Sequence, residues 1–240
     1  MKDFTTEQLA DRWYDRREIA NLAGKLVTSI LLKKEGTVFE AFWSAREDVC
    51  LSFNDGSYIG AEDVRNYFAV QAENAGKISK FLQDLFPEEL GEKSDGELYG
   101  VGQMRGLPIT TPVIEIASDG QTAKGLWHIQ GADSGVTAYG PLSEWTLGFL
   151  AIDFILENGD WKIWHVLHAE DVVIPMGESW VSPKEHAADP DYAQIAALKK
   201  APYTVEKENY VPYSPVRSFT RPPRVPQPYD TFADTFSYGT

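Results

Sequence analysis

The chain has 240 residues, which suits one domain with an extension, and 43% of them are hydrophobic, enough for a sizeable core. A formal net charge of −14 is the wrong sign for a general nucleic-acid binder or for an anionic membrane surface. The single cysteine, Cys50, excludes an intramolecular disulfide and a multi-cysteine metal cluster, and its place in Val49-Cys50-Leu51 reads as a small buried hydrophobe.

The opening MKDFTTEQLADRWYD is polar and charged, unlike a signal peptide. No apolar run reaches the roughly 18 residues that a membrane-spanning helix needs. A reducing, cytoplasmic setting is expected, with neither membrane nor nucleic acid as partner.

In chain order, Thr5 and Gln8 have capping-box spacing ahead of a first helix carrying Leu9 and Trp13. From Asp15 to about Leu32, Ile19, Leu22, Leu26 and Ile30 recur at helical spacing, and Gly36 ends that pattern. Val38 to Trp43 reads as a short helix. Val49 to Phe53 and Ser57 to Ile59 read as a small hairpin around Asn54-Asp55-Gly56. Ala61 to Ala75 is helical again, Ile78 to Phe86 is a further helical piece, and Pro87 to Glu97 is an acidic loop.

Strands follow at Thr111 to Ala117 and Thr122 to Gln130, joined by Asp119-Gly120. The strongest signal comes last. In Trp145 to His168, two aromatic and branched runs flank Glu157-Asn158-Gly159-Asp160, and Asn-Gly supplies the positive φ angles of a tight turn. Both faces of these strands are apolar, so the sheet is covered on both sides. Helices first and an antiparallel meander second define an α+β fold. After Trp180 the composition changes: nine prolines lie between Pro183 and Pro228, among the aromatics Tyr192, Tyr203, Tyr210, Tyr213, Phe219, Tyr229, Phe232, Phe236 and Tyr238. The division expected is a domain over residues 1–182 and an extended arm over 183–240, packed on the domain or on a neighbouring subunit.

Few residues carry chemistry on their own. Tyr99-Gly100-Val101-Gly102-Gln103-Met104-Arg105-Gly106 lacks the glycine spacing of a phosphate loop and runs into Pro108, so it reads as a loop bordering a pocket, with Arg105 as its cation. His165 and His168 are three apart and, on a strand, point oppositely, which argues against a shared metal. His128 lies in Leu126-Trp127-His128-Ile129. If His128 and His165 open on one cavity, they suit acid–base work near neutral pH. Asp153, between Ile152 and Phe154, is a buried carboxylate whose alternatives are a proton donor and a partner in a cross-sheet pair. There is no Gly-x-Ser-x-Gly nucleophile elbow.

Four stretches taken in order resemble one family: Asp15-Arg16-Arg17-Glu18-Ile19 with Leu22; Ser57-Tyr58-Ile59-Gly60-Ala61-Glu62-Asp63-Val64 with Tyr67-Phe68; Thr111-Pro112-Val113-Ile114-Glu115-Ile116; and Glu157-Asn158-Gly159-Asp160-Trp161-Lys162-Ile163-Trp164-His165. They are similar to the SnoaL-like branch of the nuclear transport factor 2-like superfamily over about residues 8–180. That resemblance implies a cone, in which a curved antiparallel sheet wraps over N-terminal helices around an apolar pocket. It also implies a homodimer or homotrimer, and the proline- and aromatic-rich arm is expected to be exchanged between its subunits.

The family contains dehydratases, polyketide cyclases and γ-formaldehyde lyases that commonly need no cofactor. Where the first long helix commonly carries a Tyr and an Asp, this chain has Leu26 and Leu31, and Leu107 stands where a catalytic His is often found. The resemblance therefore leaves His128, His165, Arg105, Tyr99 and Tyr58 as the polar residues at the cone. Trp127, Leu26, Leu107 and Phe154 are the expected substrate wall. The function expected is a lyase without cofactor or metal. It eliminates formaldehyde or water from a hydroxylated aromatic, diaryl or polycyclic small molecule by acid–base catalysis. A scarcity of carboxylates at the expected pocket favours formaldehyde. The alternative is a non-catalytic small-molecule-binding or assembly module.

Overall fold

The computed structural model describes residues 4–32, 34–182, 184–207 and 223–239. Its first helix, α1 (Thr6–Leu31), is continuous where two pieces are predicted, because nothing between Trp13 and Asp15 interrupts a helix that Thr5 and Gln8 cap reciprocally. Ile19, Leu22, Ala23 and Leu26 form its buried stripe. The polar side of the same helix is stapled to the sheet. Arg12 donates to the carbonyls of Ala117 and Ile116 at 2.8 and 2.6 Å, and Arg16 donates to that of Ile114 at 2.7 Å. Asp15 accepts the Trp161 indole N–H at 2.9 Å.

Gly36 lies inside the next helix, α2 (Glu35–Phe42), and not between helices. A third helix, α3 (Ala61–Leu85), likewise merges two predicted pieces. Its inward Val64, Phe68, Ala75, Ile78 and Leu82 keep helical period across Gly76. The acidic stretch expected to be a loop holds two short helices, α4 (Pro87–Leu90) and α5 (Asp95–Leu98), the latter started by a Ser94–Glu97 capping box.

Among the described residues the sheet has eight strands: β1 (Cys50–Ser52), β2 (Gly56–Ile59), β3 (Met104–Gly106), β4 (Ile109–Ile116), β5 (Thr122–Thr137), β6 (Gly140–Glu157), β7 (Asp160–Pro175) and β8 (Val205–Glu206). Their order is β3-β5-β6-β7-β1-β2-β8, with β4 also beside β5. All pairings are antiparallel except β1 with β7, which is parallel, so the sheet is mixed where a wholly antiparallel one is expected. The β6–β7 turn is the one Asn-Gly demands, with φ of 53° at Asn158 and 88° at Gly159.

β5, β6 and β7 run well beyond their expected ends, and they curve. Bulges interrupt the β6–β7 ladder between Leu147 and Gly148 and between Asp153 and Phe154. At the first of these only glycine fits: a Cβ on Gly148 would lie 2.1 Å from the Ala169 carbonyl oxygen. The concave face closes on α1, α2 and α3 around a core that includes Ile19, Trp43, Phe68, Trp127, Ile152, Phe154 and Ile163. This is the α+β cone.

The described part of 183–240 returns to its own cone. Tyr192 packs on Phe81, β8 extends the sheet beside β2, and Tyr203 lies 4.8 Å from Tyr58. Residues 223–239 cover the outer face, where the Phe232 ring packs at a tilt on Trp164 at 4.5 Å and Tyr229 and Tyr238 are buried. Tyr210, Tyr213 and Phe219 lie outside the described residues. Among the described residues, no helix is long and apolar enough to cross a membrane.

Candidate active site

A cavity of about 520 Å³ opens between α1, α3 and the concave sheet. Its walls are mostly apolar and rich in rings: Leu26, Ile30, Trp43, Phe53, Tyr67, Phe68, Leu107, Ile109 and Leu150. Strand parity delivers the polar groups. In β7, Val166, His168 and Glu170 face inward, and in the register across from them Leu150 does the same. Beyond the bulge at Asp171, Val173 faces the cavity again. Asp133 and Glu144, opposite each other on β5 and β6, complete the polar end together with Arg105.

His168 is the half-buried imidazole of this cavity, with its Nε2 shielded from solvent. Burial, reinforced by the nearby Arg105, pulls its pKa down to about 4, so it is neutral at physiological pH. Its Nε2 has no hydrogen-bond partner among the described residues and stands 3.7 Å from Glu170 Oε1. Burial raises the pKa of Glu170, against the pull of Arg105, and raises that of Glu144, where Asp133 adds to the effect. Arg105 pairs through Nε with Asp133 at 3.1 Å while still lining the cavity. The site therefore holds a neutral base, two carboxyl groups biased toward their protonated form, and one guanidinium. Among the described residues, no three His, Cys, Asp or Glu side chains converge as metal ligands would.

Of the residues expected at the cone, Arg105, Leu26 and Leu107 line the cavity. Arg105 sits on β3 rather than on a loop, paired opposite Asp133 in the ladder as well as through its side chain. Tyr58 and Tyr99 do not line it: Tyr58 donates to the Ala201 carbonyl within an aromatic group formed with Phe53, Tyr67 and Tyr203, and Tyr99 caps the end of α5. Trp127 and Phe154 meet edge to face inside the core and do not line the cavity.

His128 and His165 lie on the opposite face of the sheet. His128 is exposed, against Phe149 at 4.7 Å. His165 belongs to a buried polar cluster. Lys124 and Asp153, both with side chains 0% exposed, pair at 2.6 Å, and Asp153 also accepts from His165 Nδ1 at 2.9 Å, from the Tyr238 N–H at 2.8 Å and from the Ser237 hydroxyl at 3.3 Å. The rings of Phe232, Phe236 and Tyr238 stand 4.6–4.9 Å from the Lys124 ammonium. The pairing of Asp153 across the sheet is thus the arrangement found.

Sequence reasoning missed His168, Glu170, Glu144 and Asp133. Alternation does separate His165 from His168, but it leaves open which of the two faces inward. Among the described residues, the carboxylates expected to be scarce at the pocket are three in number: Asp133, Glu144 and Glu170.

No protein-family model and no curated protein matches the chain. Solved structures do. It is similar to the hexachlorocyclohexane dehydrochlorinase LinA-type3 from Novosphingobium barchaimii LL02, with 14% identity, a TM-score of 0.50, and coverage of 73% of this chain and 99% of that one. A LinA Type2 structure gives 15% identity and the same TM-score over 75% and 97%. A single-residue variant of Rv3472, a protein of unknown function from Mycobacterium tuberculosis, matches at 18% identity over 79% and 88%, with a TM-score of 0.46. The chain shares its fold with the two dehydrochlorinase structures.

Proposed function

We propose that this chain is a cofactor-independent lyase that eliminates formaldehyde or water from a hydroxylated aromatic small molecule, diaryl or polycyclic. The observation that carries the reading is His168: a neutral imidazole in a ring-lined cavity, 3.7 Å from Glu170 and sharing the cavity with Glu144, two glutamates whose raised pKa values suit them to give protons. Both eliminations need this combination. In water loss, the base takes a proton from carbon, its electrons form a C=C bond, and the departing hydroxyl leaves as water with a proton from Glu170 or Glu144. In formaldehyde loss, the base takes the proton of a terminal hydroxymethyl group. The adjacent C–C bond then breaks to release formaldehyde, and its electrons form the C=C bond as the neighbouring hydroxyl leaves as water with a proton from Glu170 or Glu144. Arg105 balances the oxyanion charge that develops in the second case.

Phe53, Tyr67, Phe68 and Trp43 favour a flat, apolar substrate body. A fold shared with structures named as dehydrochlorinases is compatible with elimination chemistry. The test is a screen of aromatic diols and hydroxysteroids read by product mass, which separates the two leaving groups. With a substrate in hand, His168→Gln is expected to lose on the order of 10²–10⁴-fold in kcat, whereas His128→Ala stays near wild type. Wild-type turnover by the His168 variant would overturn the mechanism. A cavity that binds these compounds without converting any of them would favour the binding-module alternative.

A further inference from the structure

Asn54 belongs to the turn between β1 and β2, yet its side chain serves β7. Its Nδ2 donates to the Glu170 carbonyl at 2.6 Å, and its Oδ1 accepts from the Glu170 N–H at 3.1 Å. β1 pairs with β7 only from Cys50 to Ser52, opposite His165 to Leu167. Beyond that point the Asn54 amide stands in for the next peptide group of the ladder. It does so where β7 most needs a partner, beside the bulge that lies between Glu170 and Val172.

The turn itself has no need of asparagine. Among the described residues the non-glycine positions with positive φ are Thr111 and Asn158, so the backbone at residue 54 does not call for asparagine or glycine. The neighbouring residue completes the arrangement: the Phe53 ring lies 5.7 Å from the His168 ring and lines the cavity. One turn thus holds the imidazole by a ring contact and the glutamate by its main chain. The turn is braced in its own right, with Asp55 accepting from the Tyr203 hydroxyl at 2.6 Å and its carbonyl accepting from the Lys207 N–H at 2.9 Å.

We infer that Asn54 is a positioning residue that fixes the Glu170 segment of β7 so that the Glu170 carboxyl stays beside His168 inside the cavity. The inference rests on reading His168 and Glu170 as the acid–base pair. Without the clamp, the bulged segment is free to turn the Glu170 side chain away and admit water, which relieves the desolvation that keeps His168 neutral.

The test is an NMR titration of the His168 imidazole in the full chain, wild type against Asn54→Ala, together with melting temperatures. Asn54→Ser, whose hydroxyl is too short to bond both main-chain groups, is the second variant. Wild type is expected to titrate at about 4. Both variants are expected to move upward by on the order of one pH unit or more, toward the unperturbed value. A lower melting temperature with an unmoved titration would make Asn54 merely structural and overturn the inference. Should Asn54→Ala not fold, an unmoved titration in Asn54→Ser decides the same way. Failure of the functional reading is separately visible: turnover that survives both His168→Gln and Glu170→Gln removes the pair from catalysis, whatever the titration shows. If the pair is catalytic, Asn54→Ala lowers kcat with little change in KM.

Discussion

At His168, burial sets a pH dependence that can be measured without any substrate. The folded pKa, about 4, lies below the ordinary 6.5, so between those values the unfolded chain binds a proton that the folded chain refuses. Stability present above 6.5 is therefore lost as pH falls toward 4, by on the order of 3 kcal/mol in full. Glu144 and Glu170 act with the opposite sign, since their raised pKa values favour the protonated folded state and their contribution fades as pH rises. Comparing wild type with His168→Gln cancels them. Urea melts at about pH 7 and about pH 4.5 should show the wild type losing more stability than the variant over that interval. Equal losses would mean that His168 is solvated. What hid this residue in the sequence is register. Counting back from the Asn158-Gly159 turn puts Asp153 opposite Trp164, but the bulge moves it opposite His165. That shift assembles Lys124, Asp153 and His165 on the outer face and sends His168 inward.

Among the elements, the turn signals were the most legible because their chemistry is local: Asn158-Gly159 and Gly120 take the positive φ angles that their residue types allow. Helix extents were less so. A glycine lowers helix propensity by only about 1 kcal/mol, and packing of the stripe in α3 overrides Gly76. The parallel β1–β7 pairing could not be read locally, since it joins segments far apart in the chain. The β5–β6–β7 face also carries a stability prediction. Removing one member of the Lys124–Asp153 pair, as in Lys124→Met, deprives the buried Asp153 carboxylate of its ammonium counter-charge and should cost about 3–5 kcal/mol. Adding Asp153→Leu should recover part of that loss, because the double variant buries no charge at that pair. The recovery stops short of complete, as Asp153 also holds Ser237, Tyr238 and His165. Additive losses in chemical denaturation would show that the two charges do not depend on each other.

For the molecule as a whole, the proline-rich region after Trp180 announced extension and the need for aromatic burial, but not the surface that would supply it. In the structure, its described segments cover Tyr58, Trp164 and the Lys124–Asp153 pair of the same chain. Truncation after Pro183 is therefore expected to lower the melting temperature, and sedimentation of the truncated chain reports whether the arm also joins copies. An unchanged melting temperature would make the arm dispensable to the cone.

The enclosure of Lys124 makes that amine a clock. An ammonium with no exposed surface, ringed by Phe232, Phe236 and Tyr238, is out of reach of any acylating reagent while residues 229–239 lie in place. Lys124 should therefore be the slowest lysine to react, and its labelling rate relative to an exposed lysine such as Lys80 measures the fraction of time the covering segment is lifted. Mass spectrometry after timed labelling reads that fraction directly, and a rate equal to that of Lys80 would mean that the segment does not stay closed over the amine.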